Sequence, residues 1–115
     1  MYIITLKGRI DPQKSGIIMV VKKEIVVKNS TGLHARPAAY FVQIANKYES
    51  EVTIVKDDQE VNGKSIMGIL MLAAEKGARV TIVADGDDAE DAVKELSEVL
   101  VKDIESELDG VDRQR

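Results

Sequence analysis

The spacing of apolar and polar residues divides most of the chain into short strands and helices. Runs that are rich in β-branched residues, or that alternate in polarity, predict strands at residues 22–28, 51–56, 59–62 and 79–85. Apolar residues recur every three or four positions in three further segments, which predict helices at residues 35–48, 66–74 and 89–108. The element order is therefore β-α-β-β-α-β-α.

Four residues mark the expected ends of these helices. Pro37 belongs in the first turn of the first helix, which places His34 at or next to its N-cap. Ser65 is a favourable N-cap for the second helix, and Gly77 is expected just after its C-terminal end. Asp87, with a glutamate three residues later, forms a capping box for the third helix.

Each predicted helix has one apolar face, so the three helices need a common surface to cover. A four-stranded sheet with the helices on one side buries these faces in two layers, which predicts an α/β (α+β) fold. A chain of 115 residues has room for one such domain, which we assign to residues 19–110. Residues 1–18 form an N-terminal extension of unknown role, in which Ile3, Ile4 and Leu6 are compatible with a short strand. Residues 111–115 form a C-terminal tail.

The composition excludes several kinds of chemistry. The chain has one histidine and no cysteine, so we expect no disulfide, no thiolate nucleophile, no metal site and no cofactor. Aromatic residues make up 3% and the net charge is −4, which argues against a nucleic-acid partner. There is no apolar run of the about 20 residues that would insert into a membrane and no secretory signal, so the cytoplasm is expected.

The negative charge lies mostly at the C-terminal end. After Gly86 there are eleven acidic residues and only four basic ones, whereas residues 1–18 carry three basic groups and one acid. The acidic third helix is expected to present a solvated face. The segment around His34 is close to neutral, so the overall charge does not prevent it from binding an anion.

Residues 32–38 (GLHARPA) combine features that suit phosphoryl transfer. Gly32 permits a sharp turn, and His34 then lies where the first amide groups of a helix have no partner within the helix. Those amides, the helix dipole and the guanidinium of Arg36 favour phosphate oxygens. A neutral imidazole is a competent nucleophile near neutral pH. A lone histidine at this position is also compatible with an ordinary surface or capping residue.

Two motifs resemble the HPr family, the histidine-containing phosphocarriers of the bacterial phosphoenolpyruvate:sugar phosphotransferase system. The sequence GLHARPA at residues 32–38 is similar to the family's active-site motif, and KSIMG at residues 64–68 is similar to its regulatory-serine motif. The resemblance extends from about Val20 to about Leu108. It implies an open-faced sandwich with an antiparallel sheet of strand order 1-4-2-3.

The resemblance also implies roles for residues at the active site. His34 would accept a phosphoryl group on Nδ1 from enzyme I and pass it to the IIA component of a sugar permease, as a phosphoryl carrier more than a stand-alone enzyme. Arg36 would stabilise the phosphoryl oxygens, together with the amide groups of Ala35 and Arg36. Ser30 and Thr31 lie just before this site, where they either bond to it or simply form the turn.

The second motif implies a regulatory site. Ser65 resembles the serine that an ATP-dependent HPr kinase/phosphorylase modifies in Gram-positive-type bacteria, although a serine at this position is also an ordinary N-cap. Gly68 and Gln43 stand where enteric members carry lysine, which is typical of the Gram-positive type. An anionic group is favourable at a helix N-terminus, so phosphorylation need not unfold the helix.

A docking surface is expected beside the active site. The resemblance assigns Ile66, Met67 and Leu70 to an exposed apolar patch that binds both enzyme I and the IIA component. Flexible Met side chains suit a surface that must fit several partners. A monomer is the default expectation.

Two other functions compete with the carrier hypothesis. In the first, the chain is a regulatory adaptor in carbon catabolite repression, which binds a LacI-type transcription regulator through phospho-Ser65. Some HPr-like regulators lack the active histidine, so the presence of His34 favours the carrier. In the second, it is an RNA-binding module, which the low aromatic content and acidic balance argue against.

Overall fold

A computed structural model describes residues 2–10, 17–28 and 32–101 of the chain. These residues form five strands and three helices. They are β1 (Tyr2–Ile10), β2 (Ile17–Val26), α1 (Ala35–Ala45), β3 (Glu51–Lys56), β4 (Gln59–Asn62), α2 (Ile66–Met71), β5 (Arg79–Asp85) and α3 (Ala89–Val101). The strands form one sheet in the order β1-β2-β5-β3-β4, with every neighbouring pair antiparallel.

The predicted strand order is confirmed within this sheet. Strands β2, β5, β3 and β4 correspond to the expected strands 1, 4, 2 and 3. The structure adds β1, which comes from the N-terminal extension and pairs with the outer edge of β2. Tyr2 lies opposite Lys23 and Leu6 opposite Met19, and the register shifts between Leu6 and Ile10. The sheet therefore has one edge strand more than the expected four, and this strand contains Ile3, Ile4 and Leu6, the apolar residues that are compatible with a strand in the sequence.

The hydrophobic core lies between the sheet and the three helices. Inward positions of the strands, such as Val21, Ile54 and Ile82, belong to one buried cluster with Phe41 of α1 and Leu96 of α3. In β3 and β5, buried residues alternate with more exposed ones, as expected for a sheet that is covered on one side. The two-layer sandwich is thus confirmed, with the chemistry-bearing residues left at the helix ends.

Two helices are shorter than predicted. The first ends at Ala45 instead of continuing to residue 48, and the second ends at Met71 instead of residue 74. Gly77 therefore does not end the second helix, and the prediction that it does is wrong. The last part of the predicted third helix, residues 102–108, lies outside the described residues, as does the tail at 111–115. No helix in the described ranges is long and apolar enough to cross a membrane.

The loop before α3 is tied to the turn before β3 by one carboxylate. Asp88 accepts hydrogen bonds from the amide of Glu49 at 2.9 Å, the amide of Ser50 at 3.0 Å and the Ser50 hydroxyl. Burial of the Asp88 carboxyl favours its neutral form, but the hydrogen bonds from Ser50 and Glu49 outweigh this effect and lower its pKa. Asp88 thereby fixes the turn before β3 to the start of α3, where its own carbonyl accepts the first helical bond from the Ala92 amide at 3.0 Å. Asp88 and not Asp87 therefore precedes α3, so the predicted capping position is wrong by one residue.

We expect Asp88→Asn to destabilise the protein by about 1 kcal/mol at pH 7, because the amide keeps only part of these charge-assisted bonds. The folded-state pKa of Asp88 is lowered from its ordinary 3.8. Its contribution is therefore complete above that value and is lost as the pH falls through the lower folded-state pKa. Urea unfolding at pH 7 and near pH 3 measures this, with a substitution of the exposed Asp58, Asp58→Asn, as the control. An equal loss from Asp88→Asn at both pH values would contradict the prediction.

Candidate active site

The segment before α1 is held against the segment that follows α2. The Leu33 amide donates to the carbonyl oxygen of Ala74 at 2.8 Å. Gly32 has a φ of +76°, and a Cβ atom added there would lie 2.6 Å from the same oxygen and 2.8 Å from the Cα atom of Glu75. Only glycine combines this left-handed backbone with so close an approach. The chain therefore enters the site along a fixed path.

His34 is the N-cap residue of α1. Its backbone is extended (φ −107°, ψ −167°), and its carbonyl accepts the first bond of the helix from the Ala38 amide at 3.0 Å. Among the described residues, the His34 side chain makes no capping hydrogen bond to the first turn of α1. The side chain is half-buried. The histidine is thus placed as the sequence predicts, at the start of the helix and not committed to capping it.

The first turn of α1 offers donors to an anion. Pro37 has no N–H and the Ala38 amide donates to the His34 carbonyl, so Ala35 and Arg36 are the residues of this turn whose amides have no acceptor within the helix. No acidic residue lies in this turn. The structure brings His34, Ala35 and Arg36 together at the positive end of an eleven-residue helix, where an anion is favoured. Ser30 and Thr31 lie outside the described residues.

Ser65 is the N-cap of α2, as predicted. Its backbone is extended, and its Oγ accepts a hydrogen bond from the Gly68 amide at 3.0 Å. The side chain is half-buried, so part of it faces solvent. The neighbouring Lys64 ammonium donates to the Tyr48 carbonyl at 2.8 Å. Ser65 therefore has a structural role before any modification is considered.

Tyr48 connects this region to α3. Its hydroxyl donates to the carboxylate of Glu95, which also accepts from the Lys47 ammonium at 2.8 Å. The hydrogen bond to Glu95 is the main reason that the pKa of Tyr48 rises from 10.0 to about 12. The turn after α1 is consequently held by Lys64 from one side and by α3 from the other.

The exposed face of α2 differs in part from the predicted docking patch. Ile66 is 40% exposed and Met67 is 67% exposed, as predicted. Leu70 is half-buried and packs against the core, whereas Met71, which was not predicted, is 66% exposed. The exposure of Met71 could have been predicted from that of Met67, because residues four positions apart share a face of a helix. The exposed apolar face, hereafter the α2 patch, consists of Ile66, Met67 and Met71.

Comparisons with known proteins agree on one family. The family model described as "PTS HPr component phosphorylation site" matches residues 21–102. HPr-like protein Crh of Halalkalibacterium halodurans is 47% identical over 84 residues, which are 73% of this chain and 100% of the relative. Phosphocarrier protein HPr of Neisseria meningitidis serogroup A is 43% identical over 81 residues, which are 70% of this chain and 91% of the relative. The crystal structure of a phosphocarrier protein HPr from Bacillus anthracis superposes with a TM-score of 0.68 at 46% identity, over 70% of this chain and 96% of that one.

Proposed function

Since the chain belongs to the HPr family, we propose that it is a phosphocarrier of the phosphoenolpyruvate:sugar phosphotransferase system. In this proposal, His34 accepts a phosphoryl group from enzyme I and passes it to the IIA component of a sugar permease. The observation that carries the proposal is the position of His34 at the N-cap of α1, beside the first-turn amides. We place the exchange in the cytoplasm, which the sequence predicts.

The reaction at His34 is a displacement at phosphorus. An imidazole nitrogen attacks the phosphoryl group of the donor, the new N–P bond forms, and the bond between phosphorus and the donor breaks with its electron pair staying on the donor. Transfer to the acceptor runs the same exchange in the opposite direction. Neither step needs a group that the chain and its two partners do not supply.

The surrounding groups stabilise charge during both transfers. The amides of Ala35 and Arg36 lie at the positive end of α1, and the Arg36 guanidinium starts from the second residue of that helix. Donors that are already oriented toward the phosphoryl oxygens need no rearrangement as charge develops on them. Arg36 and the two amides are therefore assigned to phosphoryl binding, and His34 to covalent catalysis.

The experiment that tests this function follows phosphate through the chain. Purified protein is mixed with enzyme I and labelled phosphoenolpyruvate, and a IIA component is added in a second step. We expect an acid-labile, base-stable label on the chain in the first step and its loss to the IIA component in the second. A chain that stays unlabelled with active enzyme I would overturn the carrier function.

Partner docking is assigned to the α2 patch. Ile66 and Met67 are exposed on the helix whose C-terminal extension holds the His34 segment through Ala74. Leu70 is half-buried and packs against the core, so we assign it only a peripheral contact with a partner. A protein that binds this patch would therefore contact the helix that is linked to the His34 segment through Ala74.

We further propose that Ser65 is a regulatory phosphorylation site for an ATP-dependent HPr kinase/phosphorylase. The Gly68 amide that now bonds to Ser65 Oγ at 3.0 Å is available to a phosphate attached at the same atom. A phosphate at a helix N-terminus is electrostatically favourable, so α2 would keep its place while the surface charge next to the α2 patch changes.

Replacing Ser65 by Ala should separate the two roles of this residue. Loss of the cap should destabilise the protein by about 1 kcal/mol, because the Gly68 amide loses its acceptor. The variant should take no acid-stable label from HPr kinase and ATP, yet should accept phosphate at His34 within about twofold of the wild-type rate. Thermal unfolding and the two labelling reactions measure these effects. An acid-stable label on Ser65→Ala would assign the kinase target to another residue.

A second candidate function is a regulatory adaptor that binds a LacI-type regulator through phospho-Ser65. The observation in its favour is the strong similarity to a relative named an HPr-like protein rather than a phosphocarrier. The two candidates predict different essential residues. An adaptor would need Ser65 and tolerate His34→Ala, whereas a carrier would need His34 and tolerate Ser65→Ala.

A further inference from the structure

The turn after α2 has an unusual backbone. Helix α2 ends at Met71 with Leu72 as its C-cap, and the next residue, Ala73, has a φ of +50°. The left-handed conformation is unfavourable for alanine, which has no polar side chain to compensate by a local hydrogen bond. Backbone strain of this kind persists where the surrounding structure requires it, and it often accompanies a functional site.

The strained turn leads directly into contacts with the His34 segment. The Ala74 carbonyl, one residue after Ala73, accepts the Leu33 amide at 2.8 Å. Further along, the Gly77 amide donates to the Val27 carbonyl and the Val27 amide donates to the Ala78 carbonyl, both at 2.9 Å. Residues 74–78 therefore hold the chain at two places, at Val27 and at Leu33, which directly precedes His34.

We propose that Ala73 is a positioning residue for phosphoryl transfer. Its left-handed backbone aims the Ala74 carbonyl at the Leu33 amide, and this contact sets the place and direction of the next residue, His34. The inference deepens the proposed carrier function and rests on it. In this proposal Ala73 has no role in binding the phosphoryl group and acts through the backbone of residues 33 and 74.

The same turn connects the α2 patch to the segment that contains His34. Met71 of the α2 patch is 66% exposed, and it lies two residues before Ala73 and three before Ala74. A partner that binds the α2 patch thus contacts Met71, at the start of residues 71–74, whereas Ala74 at their end bonds to Leu33 beside His34. Displacing a reacting group by about 1 Å can cost roughly 100-fold in rate, so a small shift at residue 74 would be visible in transfer.

The test uses substitutions that change only the backbone preference. Ala73 is exposed, so a larger side chain meets solvent and not the core. Ala73→Val disfavours positive φ through β-branching, whereas Ala73→Gly permits it. Asp57→Val is the matched control, because Asp57 is also exposed, also left-handed (φ +53°), and lies in the turn between β3 and β4.

Two measurements are made on each folded variant. Amide hydrogen exchange at Leu33 reports on the contact itself, and phosphorylation by enzyme I gives kcat and KM. For Ala73→Val we expect exchange at Leu33 to be at least about tenfold faster and kcat to fall about tenfold, with KM within about twofold. Ala73→Gly and Asp57→Val should match the wild type in both.

The outcomes separate the proposal from the carrier function. If Ala73→Val leaves Leu33 exchange and kcat unchanged, or if Asp57→Val lowers kcat as much, the positioning role is wrong. If the wild type takes no phosphate from enzyme I, the carrier function fails instead. Leu33 exchange then still decides whether Ala73 fixes this segment, because it does not depend on a phosphoryl donor.

Discussion

Replacing His34 by Ala should abolish phosphorylation by enzyme I and phosphoenolpyruvate, with a fall in labelling rate of at least roughly 10³-fold. The chain has no other histidine and no cysteine, so no second imidazole and no thiolate can take the place of His34 as the nucleophile. The fold should survive, because the His34 side chain makes no capping bond among the described residues and is only half-buried. Rapid-quench labelling measures the rate, and thermal unfolding checks the fold.

The matched control for this prediction is Ser65→Ala, which removes the other proposed phosphate acceptor and keeps His34. It should retain the acid-labile label. Equal labelling of His34→Ala and wild type would show that the phosphoryl group goes elsewhere, and the carrier mechanism would then be wrong. A variant that loses labelling but still represses through a LacI-type regulator would reveal an adaptor role alongside the carrier role.

The start of α1 could be predicted because its signals are local. Pro37 fits only the first turn of a helix, which fixes His34 at the N-cap, and the structure places it there. Ser65 is similar, since an N-cap bond spans three residues and can be deduced from sequence alone. The order of the four core strands came from the family resemblance, because apolar periodicity does not determine which strands pair.

The end of α2 could not be predicted from local preferences. Residues 66–74 are a continuous run of helix-compatible residues, and alanine at position 73 favours helix strongly. The run stops at Met71 because Ala74 bonds to Leu33, a residue 41 positions earlier in the chain. A tertiary hydrogen bond thus overrides a local helix preference. The pairing of β1 with β2 was likewise not predicted, although its apolar residues favour a strand, since this pairing depends on a long-range contact.

Replacing Gly32 by Ala should be the most damaging single-methyl change at the site, with a loss of about 3 kcal/mol of stability. About 1 kcal/mol follows from forcing alanine into the left-handed region, where Gly32 has a φ of +76°. The remainder, about 2 kcal/mol, follows from overpacking, because the new Cβ would lie 2.6 Å from the Ala74 oxygen. The opposing atoms are backbone, so they cannot move aside by a change of rotamer. Urea unfolding measures the loss.

Gly77→Ala separates the two causes of this loss. Gly77 also has a positive φ, of +90°, but a Cβ added there meets no atom within 4 Å. Gly77→Ala should therefore cost only about 1 kcal/mol of stability, which is the cost of placing alanine in the left-handed region. In Gly32→Ala, relief of the clash must push the Ala74 carbonyl away from the Leu33 amide, so phosphorylation of the folded fraction at His34 should fall as well. Equal stability losses in the two variants would show that the close approach at Gly32 carries no cost.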